Sequence, residues 1–454
     1  MIENESPLDL GDIQGNILRG YGFPLAHYAF VSVLVGAEGR KWLSELVDPV
    51  TTAEEWIEDK PDVTVNVAVS HAGLCALGVP DDKVSSFSTA FRQGMKSRAS
   101  ELGDIDASDP EHWEIGLGDG QGHVLVMINA TGPAALKAEV EALHRRIERA
   151  EGGLAIVHEQ CAKLLPFARE HFGFSDGFAQ PAVEGSGMKP KPGQGTPRRF
   201  WGWRSLKPGE FVWGYEDEDG IRPESPVAPL GYNGTYMVYR KLYQDVARFR
   251  RFLQERGAHF PGGEELLAAK IVGRWRDGTP LVRSPDRPDA RISRDKNRIN
   301  DFRFRGDREG HECPLGAHVR RTNPRDTMVG GGKRVSRHRI IRRGMPYGEP
   351  LAEGRTDDDR EPRGLVFVCF NASIERQFET IQSRWCSDGD VFGLAGDRDF
   401  LLGGPSQGKM TVQGRSPSFL SPQQPFVVTK GGEYLFVPGL DALRALAAGW
   451  PAAS

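Results

Sequence analysis

The chain has little cysteine: five residues in 454, odd in number, widely spread and without a CxxC pair. That excludes a disulfide framework and a thiolate zinc site as the source of its stability. It also lacks a long apolar run. No stretch approaches the roughly 18 apolar residues of a membrane span, and "MIENESPLDLGDIQGNILRG" has neither a basic n-region nor an apolar h-region, so the expectation is a soluble protein of the cytoplasm. Charge of one sign is missing as well. With 58 basic and 62 acidic residues the net charge is −4, which gives no global reason to expect nucleic acid or a membrane surface as partner. Finally, the eleven histidines form no HExxH or other paired metal spacing, and no GxSxG elbow, GxxxxGK[ST] loop or strand-to-helix GxGxxG occurs. Zinc hydrolysis, the serine-hydrolase elbow and mononucleotide or dinucleotide loops are thereby set aside.

What is present is length and periodicity. A chain this long can bury a sizeable core and divides into two or three domains or one large two-lobed unit. "HYAFVSVLV" (27–35) reads as a strand, "RKWLSELVDPVTTAEEWIE" as a helix and "VTVNVAVS" (63–70) as a second strand. "HVLVMINA" (123–130), the helix "GPAALKAEVEALHRRIERA" (132–150) and the strand "GGLAIVHEQCAKLL" (152–165) complete β-α-β-β-α-β, the ferredoxin-like order. Residues 183–230 are dense in Gly and Pro and read as a connection, but Trp201, Trp203 and Trp213 predict that much of it packs down.

The second half restarts with the strand "GTYMVYRKLY" (234–243) and the helix "QDVARFRRFLQERG". Strand-like "LGAHVRRT" (315–322), "RHRIIRRGMPY" (337–347) and "GLVFVCF" (364–370) follow, then the helix "SIERQFETIQSRW" (373–385), "FVVTKGGEYLFVP" (426–438) and a last helix. The fold class expected is α+β, two ferredoxin-like units with antiparallel sheets. Their bounds are 1–182, a connection at 183–230, and 231–454. The repeat is one of element order, not of residues.

Three local features carry chemistry. "HFGFSDGFAQP" (171–181) sets one carboxylate, Asp176, among three Phe and two Gly. In "CPLGAHVRRTNPR", His318 lies in a strand-like run where period-two alternation puts Arg320 on its face and Val319 and Arg321 on the other. From Arg320 to Arg343 there are nine basic residues against one acid, Asp326, and "VGGGKR" (329–334) within it reads as a flexible turn. Each has a plain alternative: a structural histidine, a solvated basic face, a turn-forming acid.

Taken together, Asp176 in "GFSDG", His318 in "CPLGAHVRRTNPR" and Arg342 in "RIIRRGMPYG" resemble, in order and wording, three signature positions of the dye-decolorizing peroxidases. "DIQGNILRGYG", "VGRWRDGTPLV" and "GGEYLFVPG" are also similar to segments of that family, so the resemblance spans nearly the whole chain. The long form without a secretion signal resembles the larger bacterial branch.

The resemblance implies one haem b per chain, bound in a pocket between sheet and helices of a dimeric α+β barrel-like fold. His318 would be the iron ligand, and Asp176 and Arg342 would stand on the peroxide side. It implies hydrogen peroxide and small aromatic reductants as partners, oxidised through a ferryl state, with no nucleic acid or membrane; a homodimer stays open. The alternative is a haem-binding or haem-handling protein that releases iron, and the weakest reading is a nucleic-acid module built on the 320–343 stretch.

The residue chemistry agrees. Heterolysis of an O–O bond calls for a basic axial imidazole with an acceptor on its other nitrogen, for which Glu375, Glu379 and Asp399 are candidates. A carboxylate moves the proton, and a guanidinium stabilises charge on the departing oxygen. Strand parity sends Arg342 and Arg343 to opposite faces, and the family pattern favours Arg342. Burial would raise the Asp176 pKa and Arg342 would lower it, so a charged form and acidic pH optima are expected. Leu365 and Phe367, two apart on one strand, would line the pocket, and Arg320 or Arg325 would hold the haem propionates.

Overall fold

A computed structural model describes residues 7–56, 59–198, 202–329, 331–403, 408–421 and 424–450. Trp201, one of the three tryptophans expected to anchor the connection, lies outside them. The first half folds as β1 (Leu25–Val33), β2 (Val63–Ser70), β3 (Val124–Ala130) and β4 (Leu154–Lys163), with α1 (Gly36–Val47) and α2 (Pro133–Glu148) crossing between them. The second half supplies β5 (Thr235–Gln244), the short β6 (Ile341–Arg342) and β7 (Met345–Tyr347), then β8 (Gly364–Asn371) and β9 (Val427–Val437).

These strands form one antiparallel sheet in the order β4-β1-β3-β2-β9-β5-β8-β6, with β7 also paired to β8. Each half thus repeats the ferredoxin-like order, its last strand beside its first. The halves are stitched where Leu435 and Phe436 of β9 pair with Ser70 and Val69 of β2. At the far edges Lys163 on β4 meets Glu349 beyond β7, Nζ to Oε1 2.5 Å.

Strands covered on both faces read as continuous apolar runs, and β1 shows why. Its Tyr28 and Phe30 point into the barrel, where Phe30 meets Tyr239 edge-on with ring centroids 5.0 Å apart. Its Ala29, Val31 and Val33 face the helices and pack with Trp42, Leu43 and Leu46 of α1. The connection packs down as expected: Trp213 is fully buried and donates its indole N–H to the Ala372 carbonyl at 3.0 Å.

Three local expectations are corrected, and a fourth element, the helix expected at 373–385, is present with a different winding. His318–Thr322 is a short helix, α3, rather than a strand, because buried partners on two sides draw in both arginines that alternation had separated. The run 337–347 breaks at Gly344, where a Cβ would meet the Val366 carbonyl at 2.3 Å, leaving the two short strands β6 and β7. Gly331–Ser336 is helical rather than a flexible turn. The helix at Ile374–Cys386, α4, is π-wound throughout, a rare winding often found at functional sites.

Candidate active site

The helix-facing side of β5 and β8 does not close. It bounds a cavity of about 850 Å³, walled by Val272, Leu365, Phe367, Phe378, Ile381 and Leu401 among others. A cavity of that volume falls in the range of cofactor and small-ligand sites. Leu365 and Phe367 both face it, as their shared parity on β8 predicts, and Phe378 of α4 stands 6.2 Å from Phe367, centroid to centroid.

His318 opens α3 at the cavity wall. Its Nδ1 lies 2.7 Å from Asp399 Oδ2, and Nε2 has no hydrogen-bond partner among the described residues. Asp399 is itself fixed: its Oδ1 accepts the Leu401 and Leu402 backbone N–H groups at 2.9 and 3.0 Å. Of the three acids that could have oriented the imidazole, the structure selects this one. Glu375 caps the Ala90 N–H instead, and Glu379 is held by Arg98 and Tyr434. Burial works against charge on His318, but the Asp399 carboxylate outweighs it and raises the imidazole pKa, while the same pairing lowers that of Asp399.

Asp176 sits at the end of a loop braced by packing and hydrogen bonds. Phe172 packs against Phe249 with centroids 4.6 Å apart, and the half-buried Glu170 carboxylate accepts the Phe172 and Phe174 N–H groups at 2.8 and 2.9 Å. Gly173 and Gly177, with φ of 95° and 91°, make turns that a side chain would strain. Phe172 and Phe174, both buried, therefore anchor the loop, Phe178 lines the cavity, and the acid is what the loop presents. About half of the Asp176 side chain is open, and the opening is to the cavity that it lines.

Arg342, on β6, bonds both carboxylate oxygens of Asp176 at 3.0 Å, a bidentate fork. Its neighbour Arg343 turns the other way and donates to the Asn16 carbonyl at 2.9 Å. Burial alone would push the Asp176 carboxyl up; the Arg342 charge, its paired hydrogen bonds and the Gly177 N–H bring it down to about 2.

The sequence proposal for anion-binding arginines needs a correction. Arg320 does not line the cavity: it is buried at 1% exposure, paired with Asp307 Oδ2 at 3.0 Å and the Cys313 carbonyl at 2.7 Å, and stacked on Phe304. Arg325 does line it, with Arg274 and Arg339, which sequence reasoning missed. Arg274 and Arg325 are buried and Arg339 half-buried, and among the described residues all three bond only to neutral oxygens, from the carbonyls of Gly278, Ile299, Phe302 and Ala179 and from Asn300. Burial pulls Arg274 and Arg339 down to about 10, and Arg325, whose Nε has no partner, falls well below its ordinary value.

Buried cations without counter-charge on a cavity wall fit a dianionic ligand, and an imidazole with its lone pair free fits a metal within it. Haem, with two propionates and one iron, meets both demands. A cavity that combines such an imidazole with a carboxylate–guanidinium pair is that of a haem peroxidase.

Comparison with known proteins agrees along the chain. Residues 12–157 match the family described as the DyP dimeric alpha+beta barrel domain, and 228–391 match the C-terminal domain of Dyp-type peroxidases. The dye-decolorizing peroxidase msp1 of Mycetinis scorodonius is 30% identical over 96% of this chain and 87% of its own. The multifunctional dye peroxidase DyP2 of an Amycolatopsis strain is 30% identical over 97% of each chain. An ancestral D-type dye-decolorizing peroxidase superposes with a TM-score of 0.85 at 31% identity, covering 98% of this chain and all of that one. The chain belongs to the dye-decolorizing peroxidase family.

Proposed function

We propose that the protein uses hydrogen peroxide to oxidise dyes, phenols and other small aromatic donors at one haem b per chain. His318 is the iron ligand, Asp176 and Arg342 act on the peroxide, and Arg325 with Arg339 pairs the propionates. The observation that carries this reading is the bidentate Asp176–Arg342 pair on the same cavity as the Asp399-oriented imidazole. A protein that only carries haem, or strips its iron, needs the imidazole and propionate partners but not a carboxylate–guanidinium pair.

Bound haem supplies the two-electron reduction of peroxide and the storage of those oxidising equivalents. The chain supplies the rest. Asp399 holds the Nδ1 proton of His318, which keeps the Nε2 lone pair directed into the cavity and raises its basicity. Asp176, ionised above about pH 2, takes the first peroxide proton and returns it to the departing oxygen. Arg342 orients that carboxylate and offers positive charge where the departing oxygen becomes negative.

The assignment to the bacterial branch rests on the end-to-end match with the Amycolatopsis relative. Residence in the cytoplasm is supported by five free cysteines, three of them buried. A homodimer is suggested by the name of the matched N-terminal domain. The division into units at 1–182 and 231–454 around a connection at 183–230 is supported by the repeated strand order.

The test is stopped-flow mixing with peroxide. Asp176→Asn is expected to keep its Soret band and lose about 10²–10⁴ in the rate of the peroxide reaction, and Arg342→Leu about 10²–10³. The wild-type rate should stay level from neutral pH down to about 3, because the carboxylate protonates only near 2. Unchanged rates in both variants would refute the assignment, and a pyridine haemochrome spectrum other than that of haem b would refute the cofactor.

A further inference from the structure

Away from the cavity, on the helix-facing side of the first unit, three side chains converge. His27 of β1 is buried at 5% exposure in a row otherwise filled by Ala29, Val31 and Val33. Its Nε2 lies 2.8 Å from Glu159 Oε1 on the neighbouring β4. His144, from α2 above, brings its own Nε2 to the same oxygen, also at 2.8 Å. Oε2 of Glu159 has no partner among the described residues, so both imidazoles aim at one point although a second acceptor was on offer. Among the described residues this is the one group of three or more His, Cys, Asp or Glu ligand atoms, all within 4.8 Å of one another, that can hold a metal ion.

From this convergence we infer that His27, His144 and Glu159 form a binding site for a divalent transition cation of the zinc class, distinct from the haem cavity. Two imidazole nitrogens and one carboxylate oxygen are the ligand set of four-coordinate zinc sites that take three ligands from the protein and water in the fourth position. Bonds of about 2.0–2.2 Å set tetrahedral ligands about 3.3 Å apart, so the present contacts open by about half an ångström on binding. Glu159 and His144, at 33% and 40% side-chain exposure, have room to do so and leave a path from solvent.

The partner beyond the ligands is also present. With Nε2 on the metal, the His27 proton resides on Nδ1, where Cys161 Sγ, 3.4 Å away and opposite His27 in the β1–β4 ladder, accepts it. The ligands come from two adjacent strands and the helix that covers them, so the ion clamps α2 to the sheet. Hard cations such as Mg²⁺ or Ca²⁺, which want an all-oxygen shell, are not expected to compete.

The experiment uses untagged, haem-loaded protein, in which His318 is occupied, and Zn²⁺ as the probe in equilibrium dialysis with metal analysis. The expected result is one saturable Zn²⁺ per chain, with affinity reduced at least tenfold by His144→Ala and by Glu159→Gln. Zn²⁺ is also expected to raise the melting temperature of the wild type and not that of His144→Ala. His144 is half-exposed, so the variant folds, and Soret intensity checks that it has. Absence of saturable uptake by the wild type, or equal uptake by wild type and both variants, overturns the proposal.

Discussion

The two ferredoxin-like units put the same sheet face under a helix and treat it in opposite ways. In the first, α2 presses Leu143 and Ile147 onto Val31 and Val126, and the layer closes into apolar core interrupted by the His27–Glu159–His144 cluster. In the second, the equivalent strands β5 and β8 present Arg240, Leu242, Leu365 and Phe367 to a space that α4 spans without filling. The winding of α4 is part of the difference. An i→i+5 helix is wider than an α-helix, and Phe378 and Ile381 line the cavity from it. Strand order alone therefore does not make a cofactor site; the second repeat becomes one by leaving its layer unpacked and bringing His318, Asp176 and three uncompensated arginines to the gap.

The comparison can be broken at several points. The largest effect is expected from His318→Ala, which should abolish the Soret band of the reconstituted protein while circular dichroism stays native; an unshifted Soret band would place the iron ligand elsewhere. Next come truncations of the two layers. Leu143→Ala, in the closed layer, should cost about 2–5 kcal/mol in urea unfolding, whereas Leu365→Ala, which already borders a void, should cost well under 2 kcal/mol in the haem-free protein. Equal losses would mean that the second layer is as tightly packed as the first.

A subtler effect concerns Glu433, on the seam strand β9. Burial raises its carboxyl from 4.5 to about 7. Its neutral form is the one that the fold accommodates, so its contribution is complete below pH 4.5 and lost as pH rises through 7. Glu433→Gln should remove about 3 kcal/mol of that decline. A Tm profile between pH 4.5 and 8 that is the same in both proteins would contradict it.

Much of the frame was legible in the sequence because strand alternation and the helix period are local. Most strand and helix runs of both units fall where apolar residues recur at spacings of two or near 3.6. The failures were of another kind. His318 does line the cavity, but the sequence set it on a strand, since five residues of "HVRRT" cannot reveal that Asp307 and the Trp385 carbonyl draw both arginines inward. Arg339 escaped notice because what marks it is the absence of a carboxylate nearby, and an absence in space leaves no trace along the chain. Asp399 lies 81 positions from His318, and nothing in its own surroundings separates it from Glu375 or Glu379. A π-wound helix carries the same apolar spacing as an α-helix over so few turns.

The stitching of β9 between β2 and β5 also dictates an order of assembly. Every residue proposed to touch haem precedes β9 in the chain, yet β5 and β2 both keep a bare edge until residues 427–437 have emerged and slotted between them. Until then the haem-facing residues stand on a sheet whose two halves are not yet joined, so closure of the sheet, and not the arrival of any one ligand, completes the scaffold of the pocket.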